Sequence, residues 1–93
     1  MKQAEELLTE AHKVLAERGE HYNDGSERNM VRIVDAFNAV TGHLLTTHEG
    51  WMFMVCLKLV RASFDLEFKA DHYIDGVNYF ALAGEEHSAS KVD

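Results

Sequence analysis

Four residues have the types and spacing for recognition chemistry: Lys58 and Arg61, then Asp71 and Asp75. Spacings of three and four place each pair on one helical face. Lys58 is the one charge in the run Trp51 to Val60, WMFMVCLKLV. An ammonium in such a setting must reach water or a carboxylate. Asp75 is the natural partner if the two helices are antiparallel neighbours. Asn78 and Tyr79 extend the Asp71–Asp75 stripe by one more turn. Two readings stay open. One is an ion pair that fixes the register of two helices. The other is an anion pocket, in which Lys58 and Arg61 hold phosphate oxygens and a carboxylate takes a metal ion or a sugar hydroxyl.

Other chemistries find less material. Magnesium wants several oxygen ligands, usually carboxylates together with substrate phosphates. Asp71 and Asp75 supply two, and Asp35 is the only other acid in the middle of an expected helix. Glu5, Glu6 and Glu10 read as a solvated face at a helix start, where the helix dipole favours acids. The six histidines form no H-x-x-x-H or H-E-x-x-H pair, and no Cys/His cluster suits zinc. His72 stands next to Asp71, and His21 next to Tyr22. No serine lies in a glycine elbow, and no glycine-rich phosphate loop is present. Cys56, the single cysteine, reads as a small core residue.

Four helices are expected to position these groups. The first spans about residues 2–17, with Leu7, Leu8, Ala11, Val14 and Leu15 on one face and Gly19 closing it. The polar stretch 20–26 follows. Asp24 or Ser26 is placed to cap the next helix, and Tyr22 is embedded in the stretch, either packing its ring on the core or meeting a ligand. The second helix spans about 27–40, with Met30, Ile33, Val34, Phe37 and Val40 as its apolar face, Asn29 in its first turn and Gly42 after its end. Thr46 and Glu49 form a capping-box pattern for a third helix over about 47–63. That helix is apolar nearly all round, so it is expected at the centre, wrapped by the other helices and by a second subunit. Residues 64–69 read as a loop tucking Phe64 and Phe68 against the bundle. A fourth helix spans about 70–85, burying Ile74, Val77, Phe80, Ala81 and Ala83, with Gly84 near its end. The expected architecture is therefore all-α: a compact, oligomeric four-helix bundle. Residues 1–85 form its single domain and 86–93 a polar, frayed tail.

Composition narrows the partners. The 93-residue chain has no proline and a net charge of −7. Its acidity argues against nonspecific nucleic-acid binding, which needs a basic face. It leaves room for one small anionic ligand in a local basic pocket. The apolar run is too short for a membrane span. The polar, acidic start is unlike a signal peptide, so a cytoplasmic location is expected.

The polar residues also align with a family pattern. The chain reads R-G-x-x-Y (Arg18, Gly19, Tyr22), then Asn29, K-L-x-R (Lys58 to Arg61) and D-x-x-x-D-x-x-N-Y (Asp71, Asp75, Asn78, Tyr79). This resembles small all-helical phage and prophage proteins and the nucleotide-modification-associated helical domains. More distantly it is similar to the MazG and dimeric dUTPase type of all-α NTP pyrophosphohydrolases. The resemblance implies a helical dimer or tetramer with a nucleotide-related role, and magnesium arriving with the nucleotide. It carries over Tyr22, Asn29, Lys58, Arg61, Asp71, Asp75 and Tyr79 as ligand-binding residues. The chain departs from the pyrophosphohydrolases in lacking their E-x-x-E and E-x-x-D magnesium motifs, and Asn23 stands where glycine usually follows the tyrosine. The expected function is nucleotide binding without assured catalysis. The alternative is a non-enzymatic phage protein that binds or inhibits a host protein, in the host cytoplasm.

Overall fold

The computed structural model describes residues 1–21 and 29–90. They form four helices and, among the described residues, no strand: α1 (Ala4–His21), α2 (Met30–Thr41), α3 (Thr47–Phe64) and α4 (Ala70–Ser90). This is the all-α bundle expected. Tyr22 and the capping candidates Asp24 and Ser26 lie outside the described residues.

Local signals explain most boundaries. Gly42 ends α2 in the left-handed conformation, φ 79°, and its N–H donates to the Asn38 carbonyl. Asn38 then pins the following linker: its Nδ2 donates to the Leu45 carbonyl at 3.0 Å, and its Oδ1 accepts from the Leu45 N–H at 2.9 Å. The capping box at α3 is complete. Glu49 N–H donates to Thr46 Oγ1 at 3.1 Å, and Thr46 N–H donates to Glu49 Oε1 at 2.9 Å. Two helices outrun the expectation, because α1 continues through Gly19 and α4 through Gly84. A glycine inside a helix costs only about 1 kcal/mol relative to alanine. It stops a helix when the chain turns left-handed, and Gly42 alone among the described residues has positive φ.

α3 and α4 pack closely and antiparallel. Trp51 stacks on Tyr79 with ring centroids 5.7 Å apart, Lys58 meets Asp75, and Asp65 meets His72. α1 lies on α4. α2 crosses the start of α3 at Gly50, where a Cβ would fall 2.5 Å from Met30 Sδ and 2.8 Å from Val34 Cγ2. The missing side chain therefore permits this approach. Met30, Val34, Trp51, Leu82 and Ala83 form the central apolar cluster, flanked by Leu15, Leu45, Met52, Met54 and Tyr79.

Several burial expectations are corrected. α3 is covered on the α4 side and near its start by α2, but it is not wrapped. Phe53, Leu59, Val60 and Phe64 are exposed, and so is Cys56, which is no core residue. On α4 the inward stripe is Ile74, Asn78 and Leu82, spaced by four, with Ala83; Val77, Phe80 and Ala81 fall beside it and are exposed. On α2 only Met30 and Val34 are buried, because the crossing at Gly50 covers just those two. Phe64 and Phe68 do not tuck against the bundle. Phe64 ends α3 in solvent, and Phe68 stacks on Tyr73, itself exposed.

Candidate functional site

Lys58 and Asp75 are brought together as their positions on antiparallel helices require. Lys58 Nζ lies 3.0 Å from Asp75 Oδ2, with the two side chains 12% and 18% exposed. α1 adds a third member: Arg18 Nη2 stands 4.0 Å from Asp75 Oδ1. Three helices thus converge on one carboxylate flanked by two cations.

One turn along α4 from Asp75 is Asn78, a buried polar residue at 5% exposure. Its Nδ2 has no hydrogen-bond partner. Lys58 also lines an open cavity of about 260 Å³ between α3 and α4, together with His72, Tyr73, Gly76 and Phe80. At Gly76 a Cβ would sit 3.6 Å from Lys58 Cβ, an ordinary contact, so the glycine keeps the cavity floor low without being demanded by a clash.

A second polar group closes the α3–α4 turn. Asp65, the C-cap of α3, takes His72 Nε2 at 3.1 Å and Lys69 Nζ at 3.2 Å. Hydrogen bonds from His72 first, then Lys69 and the Glu67 N–H, hold the Asp65 carboxyl below the usual range. His72 Nδ1, on the other side of the ring, is buried and has no protein partner.

The remaining sequence candidates are dispersed. Arg61 and Asp71 are exposed and make no ion pair among the described residues. Asn29 is exposed at the N-cap of α2, with no side-chain capping bond. Tyr79 packs its ring on Trp51 beside the core, and Tyr22 lies outside the described residues. Arg18 joins the cluster only in three dimensions; its signal was its place in the R-G-x-x-Y pattern. Among the described residues, no three His, Cys, Asp or Glu side chains gather to hold a metal ion. Among the same residues no helix is long and apolar enough to cross a membrane.

Fold and site define a small all-α domain with a half-buried ion cluster where three helices meet. The chain belongs to the family described as a domain of unknown function, DUF6378, whose model matches residues 6–87. It has no significant match among curated proteins or among solved structures.

Proposed function

We propose that the chain is a nucleotide-binding protein of the nucleotide-metabolism-associated phage type, with the Arg18–Asp75–Lys58 cluster as its phosphate end. The observation that carries this reading is the double placement of Lys58. Its ammonium is held by Asp75 while its side chain lines an open, mostly apolar cavity. An ammonium held by a carboxylate at a cavity wall is pre-oriented for an anionic ligand. The cavity walls at Tyr73 and Phe80 suit a flat ring. Asp75 does not line the cavity itself; its part is to hold the Lys58 ammonium. Calorimetry with nucleoside mono-, di- and triphosphates, with and without magnesium, tests the proposal. Saturable binding supports it, and no binding at millimolar ligand overturns it.

A second reading rests on a different observation. Many large apolar side chains are exposed, among them Ile33, Phe37, Phe53, Val60 and Phe64. Such a surface suits a protein partner, including a host enzyme that a phage factor would inhibit. A pull-down from host lysate that recovers a stoichiometric partner supports this reading. Recovery of none, together with nucleotide binding, removes it.

A further inference from the structure

The outer face of α3 carries a second pattern that the ion cluster does not use. Phe53, Leu57, Val60 and Phe64 recur at spacings of four, three and four, the apolar rhythm of a helix that pairs with another helix. The stripe lies opposite the side that packs on α4. Phe53 is 69% exposed, Val60 54% and Phe64 83%, and Leu57 is half-buried. From end to end it spans about 16 Å of helix. Beside Phe53 opens a groove of about 220 Å³ between α2 and α3, walled by Ile33, Phe37 and Met54.

We infer that this stripe is the seam of a homodimer, in which α3 of one copy lies antiparallel against α3 of another. A twofold axis between Leu57 and Val60 sets Phe53 opposite the partner's Phe64, and Leu57 opposite the partner's Val60. The partner's Phe64 then fills the α2–α3 groove at Phe53, and the contact is self-complementary, as a twofold interface requires.

Surface area favours a second copy of the chain as the occupant. The chain exposes 7026 Å², whereas a folded monomer of its mass exposes roughly 5,500 Å². The excess, about 1,500 Å², exceeds the ~800 Å² that each partner of a standard interface buries. The radius of gyration is 14.6 Å, against about 12 Å for a closed domain of this length. No large side chain among the described residues is completely buried. Such a chain lacks a finished core of its own, and the seam runs along the helix whose other side forms the existing one. Charge does not oppose the pairing along the stripe, where the exposed charged neighbours on α3 are Glu49 before Phe53 and Arg61 after Val60, of opposite sign.

The test combines size, substitution and thiol protection. Light scattering of the full chain should give twice the chain mass at micromolar concentration. Val60→Glu should shift it to one chain mass. Phe64→Ala, at a site with almost no contacts within one copy, should weaken the pair without touching the existing core. Cys56, one position before Leu57 and exposed in a single copy, should alkylate slowly in the pair and faster on dilution. A one-chain mass for the unaltered protein overturns the inference. So does a pair that survives both substitutions, or Cys56 alkylation that is fast and independent of concentration.

Discussion

Replacing Lys58 and Asp75 singly and together separates a coupled ion pair from two independent surface charges. Both side chains are mostly buried, at 12% and 18% exposure, and their charged atoms are 3.0 Å apart. Breaking a fully buried pair costs about 3–5 kcal/mol, whereas exposed pairs are worth about 0–1 kcal/mol. This pair lies between those limits. Lys58→Met keeps most of the volume and leaves Asp75 with Arg18 at 4.0 Å, so a loss of about 1–2 kcal/mol is expected. Asp75→Leu leaves two cations without their shared carboxylate, and about 2–3 kcal/mol is expected. The double variant removes the pair and its desolvation cost together and should fall within about 1 kcal/mol of the unaltered protein. The implied coupling, the two single losses together less the double variant's, is about 2–6 kcal/mol. Urea denaturation followed by circular dichroism measures it, at one fixed protein concentration because self-association shifts apparent stability. Additive single effects, with coupling below about 0.5 kcal/mol, would refute the claim that the two charges form one unit.

Three further outcomes follow from the elements around the site. Gly50→Ala gains about 1 kcal/mol of helix propensity. It also forces a Cβ to 2.5 Å from Met30 Sδ and 2.8 Å from the stiff, buried Val34, and overpacking of that kind costs about 1–3 kcal/mol. Net destabilisation is expected in urea melts, and a more stable variant would contradict the tight α2–α3 crossing. Thr46→Ala removes the acceptor of the Glu49 N–H at 3.1 Å and should cost about 1 kcal/mol; a change indistinguishable from zero would deny the capping box its role. Finally, Glu49 and Asp65 both have carboxyls held below their ordinary values of 4.5 and 3.8, Glu49 chiefly by the Thr46 N–H and Asp65 chiefly by His72. The unfolded chain therefore takes up protons first. Their stabilisation is present above those ordinary values and is lost as pH falls through the lower folded ones. Urea midpoints should drop between about pH 5 and pH 2, and Glu49→Gln should flatten part of that slope; an unchanged slope in the variant would exclude Glu49 as a source.

Local rules were readable in the sequence where one interaction decides the outcome. Thr46 and Glu49 mark the start of α3, and Gly42 marks the end of α2, because a cap is satisfied within a few residues. The Lys58–Asp75 pair was legible for a similar reason: a lone charge in an apolar run has few partners on an antiparallel neighbour. Burial was harder to read. Apolar character does not say which neighbour covers a side chain, so Phe53, Val60 and Phe64 read as core and stand exposed. Val77 and Phe80 are expected inward as apolar residues of α4. The buried stripe instead runs through Asn78, a polar residue that periodicity in hydrophobicity passes over. Arg18 joined the cluster through the packing of α1 on α4, a contact between residues far apart in the chain. Arg61 and Asp71 share a helical face with Lys58 and Asp75 only approximately: they are offset by about 60° and about 40° around their helices, and both are exposed.

The most direct measurement is a calorimetric titration of a nucleoside triphosphate into the unaltered chain and into Lys58→Met, each first shown by circular dichroism to be helical. Saturable heat in the unaltered chain and its loss in the variant is the predicted result. Equal heats in the two proteins, or none in the unaltered chain at millimolar ligand, would contradict a phosphate site at Lys58.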